Sequence, residues 1–173
     1  MDVVLQNIKL LMMDCDGVLT DAGMYYSPNG DELKRFSTYD GMGINLLRRI
    51  GIKSAIITGE NSPMVSQRAA KLKIEYLYLG CGNKLEAAIA ICRKENLTLK
   101  EIAFIGDDIN DLELLRNVGF AACPPNARPE VKEIENIYLL SVKGGDGTVR
   151  EVADMILHAK GVKIGNLLQA NIQ

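Results

Sequence analysis

The sequence predicts an α/β fold, a mainly parallel sheet with helices on both faces, and three observations predict it. Short apolar runs of strand length alternate with amphipathic helical stretches from one end of the chain to the other. The runs are apolar at successive positions, as strands buried on both faces are. Polar, acid-rich turns follow several of them, at the strand ends where such sheets bind ligands.

The strand-like runs are "IKLLMM" (8–13), "SAIIT" (54–58), "EYLYL" (75–79), "IAFIG" (102–106), "FAA" (120–122) and "IYLL" (137–140). Between them lie five helical stretches. "GMGINLLRRIG" follows Asp40, a residue of the N-cap type, and stops at Gly51. "NSPMVSQRAAKL" opens with Asn61, Ser62 and Pro63, a cap and first-turn signature. "NKLEAAIAICRKEN" keeps apolar residues at helical spacing, "INDLELLRNVG" ends at Gly119, and "TVREVADMILHAKG" closes the pattern. The whole reads as a Rossmann-like sheet in a single domain spanning 1–173. One segment breaks the alternation. Residues 22–37 contain Asn29-Gly30, a strong short hairpin turn, and predict a two-stranded flap leaving the sheet after the first acid cluster. No stretch is long enough for a separate cap domain, and the tail 161–173 is weakly patterned, either loose or docked on a neighbour.

Composition narrows the function. Of 173 residues, 47% are hydrophobic and 24% charged, with a net charge of −2, so the chain can bury a sizeable core. No basic stripe marks a nucleic-acid partner, and no apolar run nears the roughly 20 residues that span a bilayer. "MDVVLQNIK" lacks the features of a secretory signal. Cys15, Cys81, Cys92 and Cys123 are scattered without a C-x-x-C pair, which argues against a disulfide framework or a zinc site and for a reducing cytoplasm.

The chemistry concentrates at three strand ends. Asp14 and Asp16 follow the first run, with Gly17 next and Asp21 beyond. Crowded carboxylates repel unless a cation or proton offsets them, and hard oxygen ligands in an open site suit Mg²⁺. "IGDDIND" brings Asp107, Asp108 and Asp111 to another strand end. Asp107 can complete a metal site, and Asp111, one helical turn on, can face the same way. Any one of these acids can equally be a helix cap. Thr58-Gly59 at a third strand end offers a hydroxyl and a backbone N–H to an anion. Lys84 opens a helix, where the dipole disfavours a cation. A hydroxyl, N–H groups, a cation and a metal around one anion are the parts of phosphoryl transfer, with a carboxylate as nucleophile.

The ordered set D-x-D-G-V-L-T-D, T-G, Lys and G-D-D-x-x-D resembles the haloacid dehalogenase-like phosphatases. The resemblance implies Asp14 as nucleophile, Asp16 as general acid/base, and Thr58, Gly59 and Lys84 as the phosphate site. It implies Mg²⁺ held by Asp14, the Asp16 backbone carbonyl and Asp107, with Asp108 and Asp111 in support. The capless length, the hairpin, "DGMGINLL" and "GGDGTVREV" are similar to the group of 3-deoxy-manno-octulosonate 8-phosphate and nine-carbon 2-keto-3-deoxy acid 9-phosphate phosphatases. The group implies a phosphorylated sugar acid as substrate and a homotetramer in which a neighbour supplies the lid. Three positions depart from the octulosonate pattern, where arginines are typical: Glu60, Tyr39 and Asp146. A less cationic entrance, with Glu60 receiving a sugar hydroxyl and Lys71 offsetting its charge, favours the deaminated neuraminate 9-phosphate and a place in sialic acid chemistry. The alternatives are the octulosonate 8-phosphate and N-acetylneuraminate 9-phosphate. A rival of another class is a phosphoacceptor signalling domain, against which the D-x-D pair and the late G-D-D-x-x-D count.

His158 stands on a helix far from the clusters, Cys15 offers its backbone rather than its thiol, and Met12 and Met13 read as core.

Overall fold

The apolar runs assemble into one parallel sheet in a computed structural model that describes residues 2–28 and 32–169. Its strands are β1 (Leu10–Met13), β4 (Lys53–Ile57), β5 (Tyr76–Tyr78), β6 (Ile102–Ile105), β7 (Phe120–Cys123) and β8 (Tyr138–Leu139). Their order across the sheet is β5-β4-β1-β6-β7-β8, every neighbouring pair parallel. The order reverses at β1, whose end therefore opens into the crevice where such sheets bind ligands. The two hairpin strands, β2 (Tyr25–Tyr26) and β3 (Glu32–Leu33), pair antiparallel, as the flap was expected to. The Asn29-Gly30 turn lies outside the described residues.

Alternation along the strands splits the core in two. Leu11 and Met13 point into one apolar cluster with Leu47, Val65, Val152 and Ile156; Leu10 and Met12 point into the other with Ala88, Ile91, Phe104 and Leu114. The first cluster sits under α1 (Asp2–Asn7), α2 (Thr38–Arg49), α3 (Pro63–Leu72) and α7 (Thr148–Ala159). The second sits under α4 (Lys84–Glu95), α5 (Leu112–Leu115) and α6 (Pro129–Lys132). Helices thus cover both faces, and Met12 and Met13 are core as expected.

Local chemistry sets the helix ends. Gly51 and Gly161 take φ of +80° and +70° just beyond α2 and α7, a conformation glycine adopts without Cβ strain. Asn83 accepts from the Glu86 N–H and starts α4, and Pro63 opens α3. One cap differs from expectation. Ser37, not Asp40, caps α2, its Oγ accepting from the Tyr39 N–H at 3.2 Å. Asp40 lies inside the first turn, buried, and accepts from the Arg150 N–H of α7 at 2.9 Å. The helix expected over 109–119 is shorter: a 3₁₀ turn at Ile109–Asp111 leads into α5. The tail is not featureless. Ile164–Gln169 form α8, and Arg49 Nη1 donates to the Leu167 carbonyl at 2.8 Å. No helix among the described residues is long and apolar enough to cross a membrane.

Candidate active site

Three strand ends meet at the carboxyl edge of the sheet. Asp14 leaves β1 with its N–H donating to the Ile105 carbonyl of β6, which fixes the start of the loop 14–20 against its neighbour strand. The loop turns at Gly17, where φ is +85° and where a Cβ would lie 1.9 Å from Asp107 Oδ2. Glycine is therefore what lets the β6 acid come this close. Asn126 clamps the loop from outside: its Nδ2 donates to the Gly17 carbonyl at 2.9 Å, and its Oδ1 accepts from the Gly144 N–H at 2.8 Å. A Cβ on Gly144 would meet the Gly17 carbonyl oxygen at 1.9 Å, and the Gly145 N–H donates to the Val18 carbonyl. The "GGDG" segment thus braces the loop by close backbone approach.

Lys84 answers the anomaly of a lysine at a helix start. It is buried, with Nζ 2.8 Å from Asp14 Oδ1 and 2.7 Å from Asp111 Oδ1. Burial alone would lower its pKa; the two carboxylates outweigh burial and hold it above the ordinary lysine range. Asp111, fully buried, spends its other oxygen on the Asp107 and Asp108 N–H groups at 2.9 and 3.2 Å. Asp111 therefore braces Lys84 and the β6 turn. Asp108 accepts from the Ile109 N–H at 2.7 Å and caps the turn that follows. The cap reading held open for this cluster is thus realised in Asp108.

The acids carry more charge than Lys84 can offset. Burial, then Asp111, push Asp14 up to about 6 against the lowering effect of Lys84. Burial, then Asp14, Asp111 and Asp108, push Asp107 up to about 8. Asp14, Asp107 and Asp111 each offer an oxygen within 4.8 Å of the others. Asp107 Oδ1 is buried without a hydrogen-bond partner. An unpartnered carboxylate oxygen inside an over-acidic cluster fits a hard divalent cation, with Asp14 and Asp107 the freer ligands because both Asp111 oxygens are engaged.

Beside the cluster lies a cavity of about 250 Å³ lined by Asp14, Asp16, Thr58, Gly59, Glu60, Asp108, Ile109 and Asn110. Thr58 follows β4 directly and is buried, its Oγ1 accepting from the Glu60 N–H at 3.3 Å. Nucleophile candidate, acid/base candidate, phosphate-site hydroxyl and Glu60 therefore share one opening. Tyr39, Asp146 and Lys71 do not line it. Tyr39 is exposed in the first turn of α2, near Gly147. Asp146 pairs with Arg35 of the hairpin at 2.6 Å, so its charge is offset locally. Lys71 stands in the last turn of α3, about 12 Å along the helix from Pro63; the structure does not bring it to Glu60. The Cys15 thiol is buried, and burial and then Asp16 and Asp14 raise its pKa, so it stays protonated.

Sequence reasoning missed Lys34. Its Nζ lies 2.6 Å from Asp16 Oδ1, and its side chain is fully buried. Eighteen residues separate the pair, and only the hairpin's reversal brings them together. Asn126 was missed likewise, since its role depends on two glycine segments far apart in sequence.

Similarity to known proteins matches this geometry. A family model described as haloacid dehalogenase-like hydrolase matches residues 80–152, the stretch that carries Lys84, Asp107, Asp111 and the glycine brace. The chain is 39% identical over 156 residues to the 3-deoxy-D-manno-octulosonate 8-phosphate phosphatase of Escherichia coli K12, covering 90% of this chain and 82% of that protein. It is 38% identical over 157 residues to the protein of the same name from Haemophilus influenzae, covering 91% and 87%. The Moraxella catarrhalis phosphatase of that name, solved with magnesium, phosphate and a KDO molecule, superposes with a TM-score of 0.91 at 36% identity, covering 99% of this chain and 97% of that one.

Proposed function

The chain belongs to the haloacid dehalogenase-like hydrolases, in the capless group of the 3-deoxy-D-manno-octulosonate 8-phosphate phosphatases, and from that membership we propose that it is a Mg²⁺-dependent phosphatase of a 2-keto-3-deoxy sugar acid. The observation that carries the reading is the meeting of Asp14, Lys84 and Asp107 beside a cavity that also holds Asp16 and Thr58. The relatives favour the octulosonate 8-phosphate as substrate. Glu60 on the cavity wall supports a second reading, the deaminated neuraminate 9-phosphate, whose longer hydroxylated chain can donate to it.

In the proposed reaction an Asp14 oxygen attacks phosphorus while the ester P–O bond breaks. Asp16 gives its proton to the leaving alkoxide. Water then attacks the aspartyl-phosphate and yields its proton to Asp16, releasing inorganic phosphate and restoring Asp14. With a pKa of about 6, Asp14 is mostly ionised at neutral pH, as a nucleophile must be. Thr58 and Lys84 hold the phosphoryl oxygens. Asp14, the Asp16 carbonyl and Asp107 would bind Mg²⁺, which supplies positive charge to the transferring group. The hairpin exposes Tyr25 and its cross-strand partner Leu33 on one side and Tyr26 on the other, apolar surface that supports a homotetramer closed by a neighbour's flap. Four unpaired cysteines support a cytoplasmic setting.

The test is phosphate release from eight- and nine-carbon 2-keto-3-deoxy acid phosphates, with and without Mg²⁺. Sustained Mg²⁺-dependent turnover on one of them is expected, and Asp14→Asn should abolish it without unfolding the protein. One stable acyl-phosphate per chain, without turnover, would favour the signalling alternative. If Glu60→Arg leaves the preference between the two esters unchanged, the nine-carbon reading loses its support.

A further inference from the structure

The hairpin does more than project from the sheet. Lys34 follows β3 directly, and its fully buried side chain carries Nζ to 2.6 Å from Asp16 Oδ1 and 2.9 Å from Met24 Sδ. Thr20 Oγ1 holds the same Asp16 oxygen at 3.2 Å. The other oxygen, Oδ2, is buried and has no hydrogen-bond partner. Asp16 is therefore gripped through one oxygen by two donors, and its carboxyl stands at the wall of the cavity. The pair is part-buried, the lysine side chain fully and the aspartate with 24% of its side chain exposed, so it is less screened than a surface pair.

We propose that Lys34 is a positioning residue for the reaction, fixing the orientation of the Asp16 carboxyl at the cavity wall, where it passes a proton to and from the substrate oxygen. The hairpin thereby becomes a condition for proton transfer, because seating the flap is what delivers the lysine. This rests on the reading of Asp16 as general acid/base. A carboxyl held in one orientation by a second group transfers its proton along a fixed path, and small displacements of such groups are costly in rate.

Leaving-group chemistry separates this role from a structural one. An alkyl ester such as a sugar-acid phosphate needs a proton on its departing oxygen; p-nitrophenyl phosphate, with a stable phenolate, needs little. kcat/KM reports the steps through departure of that group. For Lys34→Met, kcat/KM on the sugar-acid phosphate is expected to fall about 10- to 100-fold, while that on p-nitrophenyl phosphate falls about threefold at most. Lys34→Arg, which keeps the donor, is expected to recover most of the loss. Asp16→Asn provides the reference and should show the same bias between esters, more strongly. If Lys34→Met loses equally on both esters, or loses nothing, while Asp16→Asn keeps its bias, the proposal for Lys34 is overturned and the reading of Asp16 stands. Equal losses in both variants would overturn the reading of Asp16 and the proposal with it. Thermal melts of each variant establish that the compared proteins are folded.

Discussion

Replacing Gly17 by alanine tests whether the β1 loop and the β6 acid are built as one unit. The added Cβ would lie 1.9 Å from Asp107 Oδ2 and 2.6 Å from its Cγ, at a backbone φ of +85°. Holding alanine in that left-handed conformation costs about 1–2 kcal/mol. For a domain of this size such a loss lowers the melting temperature by about 2–8 °C, so the fold survives. The contact itself cannot be absorbed so cheaply. Ordinary van der Waals separation begins about 1.5 Å farther out, and the Asp107 carboxyl must retreat by roughly that much. A ligand moved this far no longer shares a cation with Asp14, and a displacement of about 1 Å in a reacting constellation is worth about a hundredfold in rate. Gly17→Ala should therefore bind Mg²⁺ at least about tenfold more weakly by isothermal titration calorimetry, and turn over about a hundredfold more slowly. Wild-type Mg²⁺ affinity in a variant that melts only a few degrees lower would refute the claim that Asp107 is a ligand brought in by the missing Cβ.

Other perturbations test the charge balance. Lys84→Met leaves Asp14 and Asp111 without their shared counter-charge, and should cost about 3–5 kcal/mol at pH 7 in urea unfolding. The cost should shrink at pH 5, where Asp14, with a pKa of about 6, takes up a proton; an equal loss at both pH values would contradict this. Asp40 has its pKa raised from an ordinary 3.8 to about 6 by burial, against the lowering effect of the Arg150 and Val149 N–H groups. The folded state therefore holds the Asp40 proton more tightly than the unfolded chain does. Stability tied to this group is full below about pH 4 and is lost as pH rises through about 6, by up to about 3 kcal/mol. Asp40→Asn should flatten that part of the stability–pH curve, and an unchanged slope between pH 4 and 7 would count against it. Gly144→Ala, which drives a Cβ into the Gly17 carbonyl, should slow turnover by about tenfold or more in the steady-state phosphatase assay despite lying well away from the metal ligands in sequence.

Much of the architecture was legible because it follows from period and punctuation. Each apolar run became a strand, shifted by a residue or two, because the runs are short and bounded by polar turns; the central β1, β4, β6 and β7 are buried on both faces, while the edge strands β5 and β8 are partly exposed. The acids converged because strand ends of a parallel sheet share an edge. What stayed hidden was decided by tertiary partners. Ser37 and Asp40 are both cap-type residues three apart, and sequence alone could not show that Asp40 is drawn to an N–H 110 residues away. Lys34, the single lysine of the segment 22–37, carries no sequence signal of its own; only the reversal of the chain brings it to Asp16. Glu60 reached the cavity because it lies in the short turn after β4, whereas Lys71 went to the far end of α3, where helix length and not charge fixes its place. The short helices α1, α6 and α8 escaped notice because four to six residues carry too little periodicity to register.

The brace formed by Asn126, Gly144 and Gly145 has a bearing on biosynthesis. The loop 14–20 leaves the ribosome early, yet the groups that hold its shape are translated near the end. A chain ending before residue 144 would lack this brace and also α7, whose Val149, Val152 and Ile156 cover one face of the sheet. The turn at Gly17 is therefore held only when the C-terminal third of the chain is in place.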